Sequence, residues 1–163
     1  MSRTEGRTYE GSVDGRGRRV AIAASRFNRV VTDPLVAGAV EELRRHGVAE
    51  GDVDLAWVPG AFELPLAAER LAASGRYAAV VAIGAVVRGA TPHFDHVAGQ
   101  AAAGLAAVTR STGVPVAFGV LTCDTMEQAL DRAGGKAGNK GAEAALTALE
   151  MAGLLEVIDK EAG

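Results

Sequence analysis

The amino-acid sequence predicts a three-layer α/β/α domain built on a four-stranded parallel sheet. Four short apolar runs alternate with helical patterns, at residues 19–24 (RVAIAA), 53–58 (VDLAWV), 78–83 (AAVVAI) and 114–120 (VPVAFGV). Three of them are nearly continuous in apolar residues, as strands covered on both faces require. Strand–helix alternation with connections of this length implies right-handed βαβ crossovers, with helices on both sides of the sheet.

Each helix carries its own signals. Asp33-Pro34 reads as an N-cap followed by an N1 proline, with Val36, Ala39, Val40 and Leu43 on one face and Gly47 as the stop. A second helix carries Leu64, Ala67, Ala68 and Leu71 and ends near Gly75. Thr91-Pro92 opens a third, with Phe94, Val97, Ala98 and Ala101 as its stripe. Asp124 and Glu127 resemble a capping box for a fourth, closed by Gly134-Gly135. The fifth carries Ala142, Ala145, Leu146 and Leu149 and is expected to stop at Gly153. Residues 1–18 read as a flexible N-terminal arm and residues 19–158 as one domain, without repeat, linker or low-complexity stretch.

A chain of 163 residues buries roughly two-thirds of its unfolded surface. The net charge of −3 gives no electrostatic reason to expect nucleic acid or an anionic membrane as partner. Cys123 is the only cysteine, so there is no intrachain disulfide framework and no cysteine-based zinc site. Neither a signal-peptide core nor a membrane-length apolar run is present, and a cytoplasmic protein is expected.

In parallel sheets of this kind ligands bind outside the carboxyl ends of the strands, and the unusual residues cluster there. The first run leads into Ser25-Arg26-Phe27-Asn28, the second into Pro59-Gly60-Ala61-Phe62-Glu63, the third through Gly84-Ala85-Val86-Val87 into RGATPHFDHV (88–97), and the fourth, carrying Phe118, into Thr122-Cys123-Asp124-Thr125. Aromatics make up 4% of the chain, and all four phenylalanines, Phe27, Phe62, Phe94 and Phe118, fall at or just beyond these ends. An aromatic pocket for a planar ring is the sharper reading, against ordinary core packing. In the third segment, Gly89 lets backbone approach a phosphate beside free helix N-terminal N–H groups, and Thr91 can cap the helix or donate its hydroxyl. His93 stands in the first turn, where a neutral imidazole can accept a proton.

His93, Asp95 and His96 raise a metal alternative. Asp95 points away from the face shared by the two histidines, and no second ligand-rich segment exists, so no metal is expected. His46 reads as a surface residue complementing a helix C-terminus. The segment 131–141 (DRAGGKAGNKG) is not a P-loop, because no Ser or Thr follows Gly-Lys and no strand precedes it. On the residues alone it reads as a helix–helix turn with a solvated basic face, against the alternative that Arg132 grips a phosphate.

Ser25-Arg26-Phe27-Asn28, VPGAFELP (58–65), IGAVVRGATPHFDHV (83–97), FGVLTCDTMEQALDRAG (118–134) and KAGNKGAEAALTALEM (136–151) resemble, in order and spacing, the successive blocks of the lumazine synthase family. The resemblance spans about residues 19 to 155 and implies a flavodoxin-like sheet. It also implies a transferase of riboflavin biosynthesis that condenses 5-amino-6-(ribitylamino)pyrimidinedione with 3,4-dihydroxy-2-butanone 4-phosphate, with no metal or organic cofactor. Carried over by position, it implies that Phe27 stacks on the pyrimidinedione, with Asn28 beside it. Ala61, Phe62 and Glu63 line the ring and ribityl site, Glu63 accepting from ribityl hydroxyls. Ala85, Val86 and Val87 contact the ring by backbone, Ala90 and Thr91 hold phosphate, and His93 shuttles protons. Arg132 clamps the phosphate with Lys140 nearby, and Phe118 reaches the pocket of a neighbouring subunit. The implied assembly is a homopentamer. The short turn at 134–139, lacking an insertion associated with pentamer-only relatives, predicts further packing into a 60-subunit icosahedral shell, with residues 1–18 able to pair with a neighbour. An archaeal-type riboflavin synthase is disfavoured by the His93 block, and a non-catalytic flavin-binding or cage-forming paralogue by the intact set Phe27, Glu63, Thr91, His93 and Arg132.

Overall fold

Strand β1 (Val20–Ser25) lies inside a sheet of order β2-β1-β3-β4, with β2 (Val53–Val58) and β4 (Val116–Cys123) at the edges and β3 (Ala79–Val87) beside β1 in a computed structural model describing residues 4–162. Every pairing is parallel. All of β1, and β3 as far as Val86, is buried, which is why their sequences show no polar alternation. Side chains of β1 alternate between two cores. Val20, Ile22 and Ala24 face α1 (Arg29–Arg45) and α5 (Lys140–Ala162), while Ala21 and Ala23 face α2 (Leu64–Ala73) and α3 (His93–Thr112). The three layers are those expected. No helix among the described residues is long and apolar enough to cross a membrane.

Two strands outrun their predicted ends. The third predicted run stops at residue 83, yet β3 continues through Gly84 to Val87, paired with β4 as far as Val87↔Cys123. A Cβ at Gly84 would lie 3.1 Å from the Leu64 side chain and 3.2 Å from Ser25 Oγ, so this glycine marks close packing inside a strand.

Helix boundaries differ for equally local reasons. Helix α1 begins at Arg29, and Pro34 lies inside it. Asn28, in the left-handed region at φ 61°, starts the helix, its carbonyl accepting from the N–H groups of Val31 and Thr32 at 2.8 and 3.0 Å. Asp33 accepts instead from Arg29 Nε at 2.9 Å. The cap of α4 (Met126–Asp131) is Thr125, one residue past the predicted Asp124, and its hydroxyl accepts from Gln128 N at 3.1 Å. Helix α4 leads into an antiparallel ribbon of β5 (Ala133–Gly135) and β6 (Gly138–Asn139), and not a plain helix–helix turn. Helix α5 runs through Gly153, which is a contact glycine: a Cβ there would lie 2.7 Å from the Ser12 carbonyl. Arg7 and Arg18 pair with Glu161 and Glu156 of the same helix at 3.5 and 2.9 Å. Residues 1–3 of the expected arm lie outside the described residues.

Helices α1 and α5 meet backbone to backbone. A Cβ on Gly141 would strike the Leu35 main chain, and one on Gly38 would strike the Asn139 amide. That amide donates to the Pro34 carbonyl at 3.0 Å while its oxygen accepts from Ala142 N at 3.1 Å, capping α5.

Candidate active site

Sheet order reverses between β1 and β3, and a depression of about 690 Å³ opens there at the carboxyl ends of the strands. Its shape follows from where pairing stops. The β1–β3 ladder ends at Ala24↔Ile83, whereas β3–β4 continues to Val87↔Cys123. The segment Ala85 to Val87 therefore lines the depression without a strand partner on that side, with the Ala85 and Val86 side chains buried. The Ala85 carbonyl accepts from Asn28 Nδ2 at 3.1 Å. Asn28 thus pins the turn after β1, and the N–H groups of Arg26 and Phe27 extend the ladder onto the carbonyls of Val58 and Pro59 at 2.8 and 3.1 Å. This turn delivers Phe27 to the rim.

Phe27 is 69% exposed and Phe62 59%, above a floor that includes buried Ala61. Two open phenyl rings over an apolar hollow form a surface that a planar ligand or a neighbouring chain would cover. Glu63 lies on the same wall at the start of α2. Opposite, Gly89, Thr91 and His93 line the hollow around the start of α3, whose N-cap residue, Pro92, supplies no side-chain hydrogen bond. The first-turn N–H groups of α3 are therefore not met by a capping side chain, and Thr91 does not cap the helix. Ala90 is exposed on this loop, outside the lining.

Phe118, Arg132 and Lys140 stand elsewhere. They line a second hollow of about 480 Å³ along the open edge of β4, between α4, the ribbon and α5. Arg132 is held by donation from Nη1 to the Gln128 carbonyl at 3.0 Å, and its own carbonyl accepts from Lys140 N at 2.9 Å. Glu143 lines the same hollow as the two cations, and Cys123 forms part of the wall. Burial pushes the Cys123 thiol above its ordinary pKa, opposed by Arg132 and reinforced by Asp124.

The two hollows share no lining residue, so one chain does not join Arg132 to Thr91 and His93, nor gather all four phenylalanines. Phe118 is the third residue of β4, well before its carboxyl end, because the strand starts and stops later than its sequence suggests. His96, Phe94 and Val97 join the first hollow and Gln128 and Glu143 the second. Helical spacing was the signal for two of these: His96 follows His93, and Glu143 follows Lys140, by three residues. Among the described residues no three His, Cys, Asp or Glu side chains converge as a metal site.

Fold and crevice define the class: a flavodoxin-like α/β protein with its ligand crevice at the strand-order reversal of a parallel sheet. The family model for 6,7-dimethyl-8-ribityllumazine synthase matches residues 17–156, and the chain belongs to that family. It is 57% identical over 150 residues to the 6,7-dimethyl-8-ribityllumazine synthase of Anaeromyxobacter dehalogenans (strain 2CP-C), a match covering 92% of this chain and 93% of the relative. The span matched by the family model includes every residue assigned above to either hollow.

Proposed function

We propose that this protein makes 6,7-dimethyl-8-ribityllumazine in the cytoplasm. It does so by condensing 5-amino-6-(ribitylamino)pyrimidinedione with 3,4-dihydroxy-2-butanone 4-phosphate, releasing phosphate and water. Besides family membership, the observation that carries this reading is the crevice itself. An exposed Phe27 ring lies beside a strip of β3 backbone that has no strand partner on one side, with the start of α3 opposite. A pyrimidinedione carries alternating donors and acceptors around a flat ring, so it suits stacking on Phe27 and pairing with main-chain groups of the segment Ala85, Val86 and Val87. Glu63 accepts from the ribityl hydroxyls. The phosphate sits at Ala90, Thr91 and the N–H groups opening α3.

The reaction is redox-neutral. The primary amine attacks the ketone and loses water to give an imine. Elimination of phosphate leaves an enol at the neighbouring hydroxyl-bearing carbon, which tautomerises to a new carbonyl, and attack of the ribitylamino nitrogen on that carbonyl closes the ring with loss of a second water. Every step moves protons between nitrogen, carbon and oxygen, and His93 at the mouth of α3 is the relay. Holding both substrates in register supplies much of the remaining acceleration.

Arg132, Lys140 and Phe118 complete the site from a neighbouring chain, in a homopentamer whose repeated contact is heterologous and closes into a ring. Twelve such rings form the proposed shell. The separation of the two hollows supports this arrangement, as do the exposed apolar residues Phe27, Val30, Phe62 and Leu66. The test mixes purified protein with both substrates and follows the fluorescent lumazine; product at only the uncatalysed rate refutes the reading. Sedimentation separates pentamer from shell.

A further inference from the structure

The loop joining β3 to α3 carries Thr91 and brings His93 to the crevice, yet among the described residues the main chain of Gly89, Ala90 and Thr91 makes no hydrogen bond. Its two ends are tied by one side chain. Arg88 Nε donates to Asp124 Oδ1 at 2.9 Å, Nη1 lies 3.6 Å from Asp95 Oδ1, and the guanidinium carbon stands 4.4 Å from the centroid of the Phe94 ring. Arg88 N also donates to the Cys123 carbonyl at 2.8 Å, anchoring the near end of the loop to β4. Asp124 is itself fixed, its N–H donating to Gln128 Oε1 at 2.9 Å. Phe94 and Asp95 directly follow His93 on α3, so whatever holds them sets where His93 stands.

Resting on the function proposed above, we infer that Arg88 is a positioning residue. By bridging Asp124 to Phe94 and Asp95, it sets the Thr91–His93 segment against the phosphate-bearing substrate. A planar guanidinium can bond one carboxylate edge-on, face a second and stack on a ring at once; a lysine ammonium cannot hold all three. As an isolated surface ion pair the Arg88–Asp124 contact would matter little to folding. Its leverage is on geometry: a displacement of about 1 Å at a reacting group can lower the rate about a hundredfold.

Lumazine formation is measured for wild type, Arg88→Gln, Arg88→Lys, Asp124→Ala and the double variant Arg88→Gln/Asp124→Ala, with thermal melts on each. A strut at Arg88 lowers kcat/KM for the phosphorylated butanone by between about ten- and a hundredfold in Arg88→Gln. The KM for the pyrimidinedione should hold, the pH–rate profile should keep its shape, and Arg88→Lys should not restore the rate. Asp124→Ala should reproduce much of the loss, and the double variant should be no worse than Arg88→Gln, as expected of two ends of one strut. Wild-type kinetics in Arg88→Gln, equal loss toward both substrates, or additive losses in the double variant would each overturn it. Should Arg88→Gln fail to fold, Asp124→Ala decides: full activity there sinks the inference, and the selective loss sustains it. An inactive wild type overturns the functional reading and the inference together, whereas an active wild type beside an unimpaired Arg88→Gln overturns the inference alone.

Discussion

Asn139→Ala probes how the fold sets up the cationic hollow. Its oxygen caps α5 through Ala142 N at 3.1 Å, and its amide donates across to the Pro34 carbonyl of α1 at 3.0 Å. Loss of an N-cap costs about 1 kcal/mol, and a part-buried hydrogen bond contributes about 1 kcal/mol more. The variant should therefore lose about 2 kcal/mol, or a Tm drop of roughly 4–8 °C for a domain of this size. Asn139→Asp keeps the capping oxygen but not the donor, so it should recover about half of that loss. Melts at matched protein concentration measure both, because assembly makes Tm concentration-dependent. Lys140 follows directly and bonds the Arg132 carbonyl, so Asn139→Ala should also raise the KM for the phosphorylated substrate. A melting temperature within about 1 °C of wild type would mean that Asn139 does not fasten α1 to α5.

Phe27→Ala should separate folding from binding. With the ring 69% exposed, stability should change by less than about 0.5 kcal/mol. Loss of stacking worth about 1–3 kcal/mol should raise the pyrimidinedione KM roughly 5- to 150-fold; an unchanged KM would remove Phe27 from the ring site. Cys123, buried and with its thiol pushed up by that burial, should react with a thiol reagent far more slowly in the native protein than after unfolding, and equal rates would contradict its placement. Tyr77 donates to Asp54 at the far end of the sheet, and this bond, with Arg19 and Arg76 behind it, holds the Asp54 carboxyl below its ordinary 3.8. A depressed carboxyl stabilises above its unfolded pKa and loses that contribution as pH falls through the folded value. The deficit of Tyr77→Phe relative to wild type should therefore be full at neutral pH and shrink below 3.8, whereas a deficit independent of pH would exclude the pair as its cause.

Local patterns were the legible part of the sequence. Strand β2 falls where its apolar run does, and β1 is displaced from its run by one residue. The three layers follow from strands buried on both faces. Contacts between distant segments were not legible. In the sequence the third run ends before Gly84 and the last helix is expected to stop at Gly153, yet each glycine lies inside its element and admits a neighbour, Leu64 and Ser12 respectively. Asp33-Pro34 has the form of a helix start, but Asn28 supplies the start first, because its amide is anchored to Ala85, 57 positions away. The crevice was legible through Phe27, Phe62, Glu63 and His93, which follow strand ends or open helices. On its residues alone, before the family resemblance, Arg132 is ambiguous, because its hollow is assembled from β4, α4, the ribbon and α5, none of which alone has the character of a phosphate site.

The proposed site joins the crevice of Phe27, Thr91 and His93 to the hollow of Phe118, Arg132 and Lys140, which are separate in one chain, across a boundary between chains. Unfolding His93→Ala and Arg132→Ala proteins together in equal amounts and refolding the mixture tests that arrangement. Where each site takes His93 from one chain and Arg132 from the next around a heterologous ring, random assembly makes about one-quarter of the sites fully wild type. Lumazine formation should then reach about that fraction of the wild-type rate, far above either variant refolded alone. A mixture no more active than the average of the two separate variants would contradict the arrangement, placing His93 and Arg132 of a single chain in the same site.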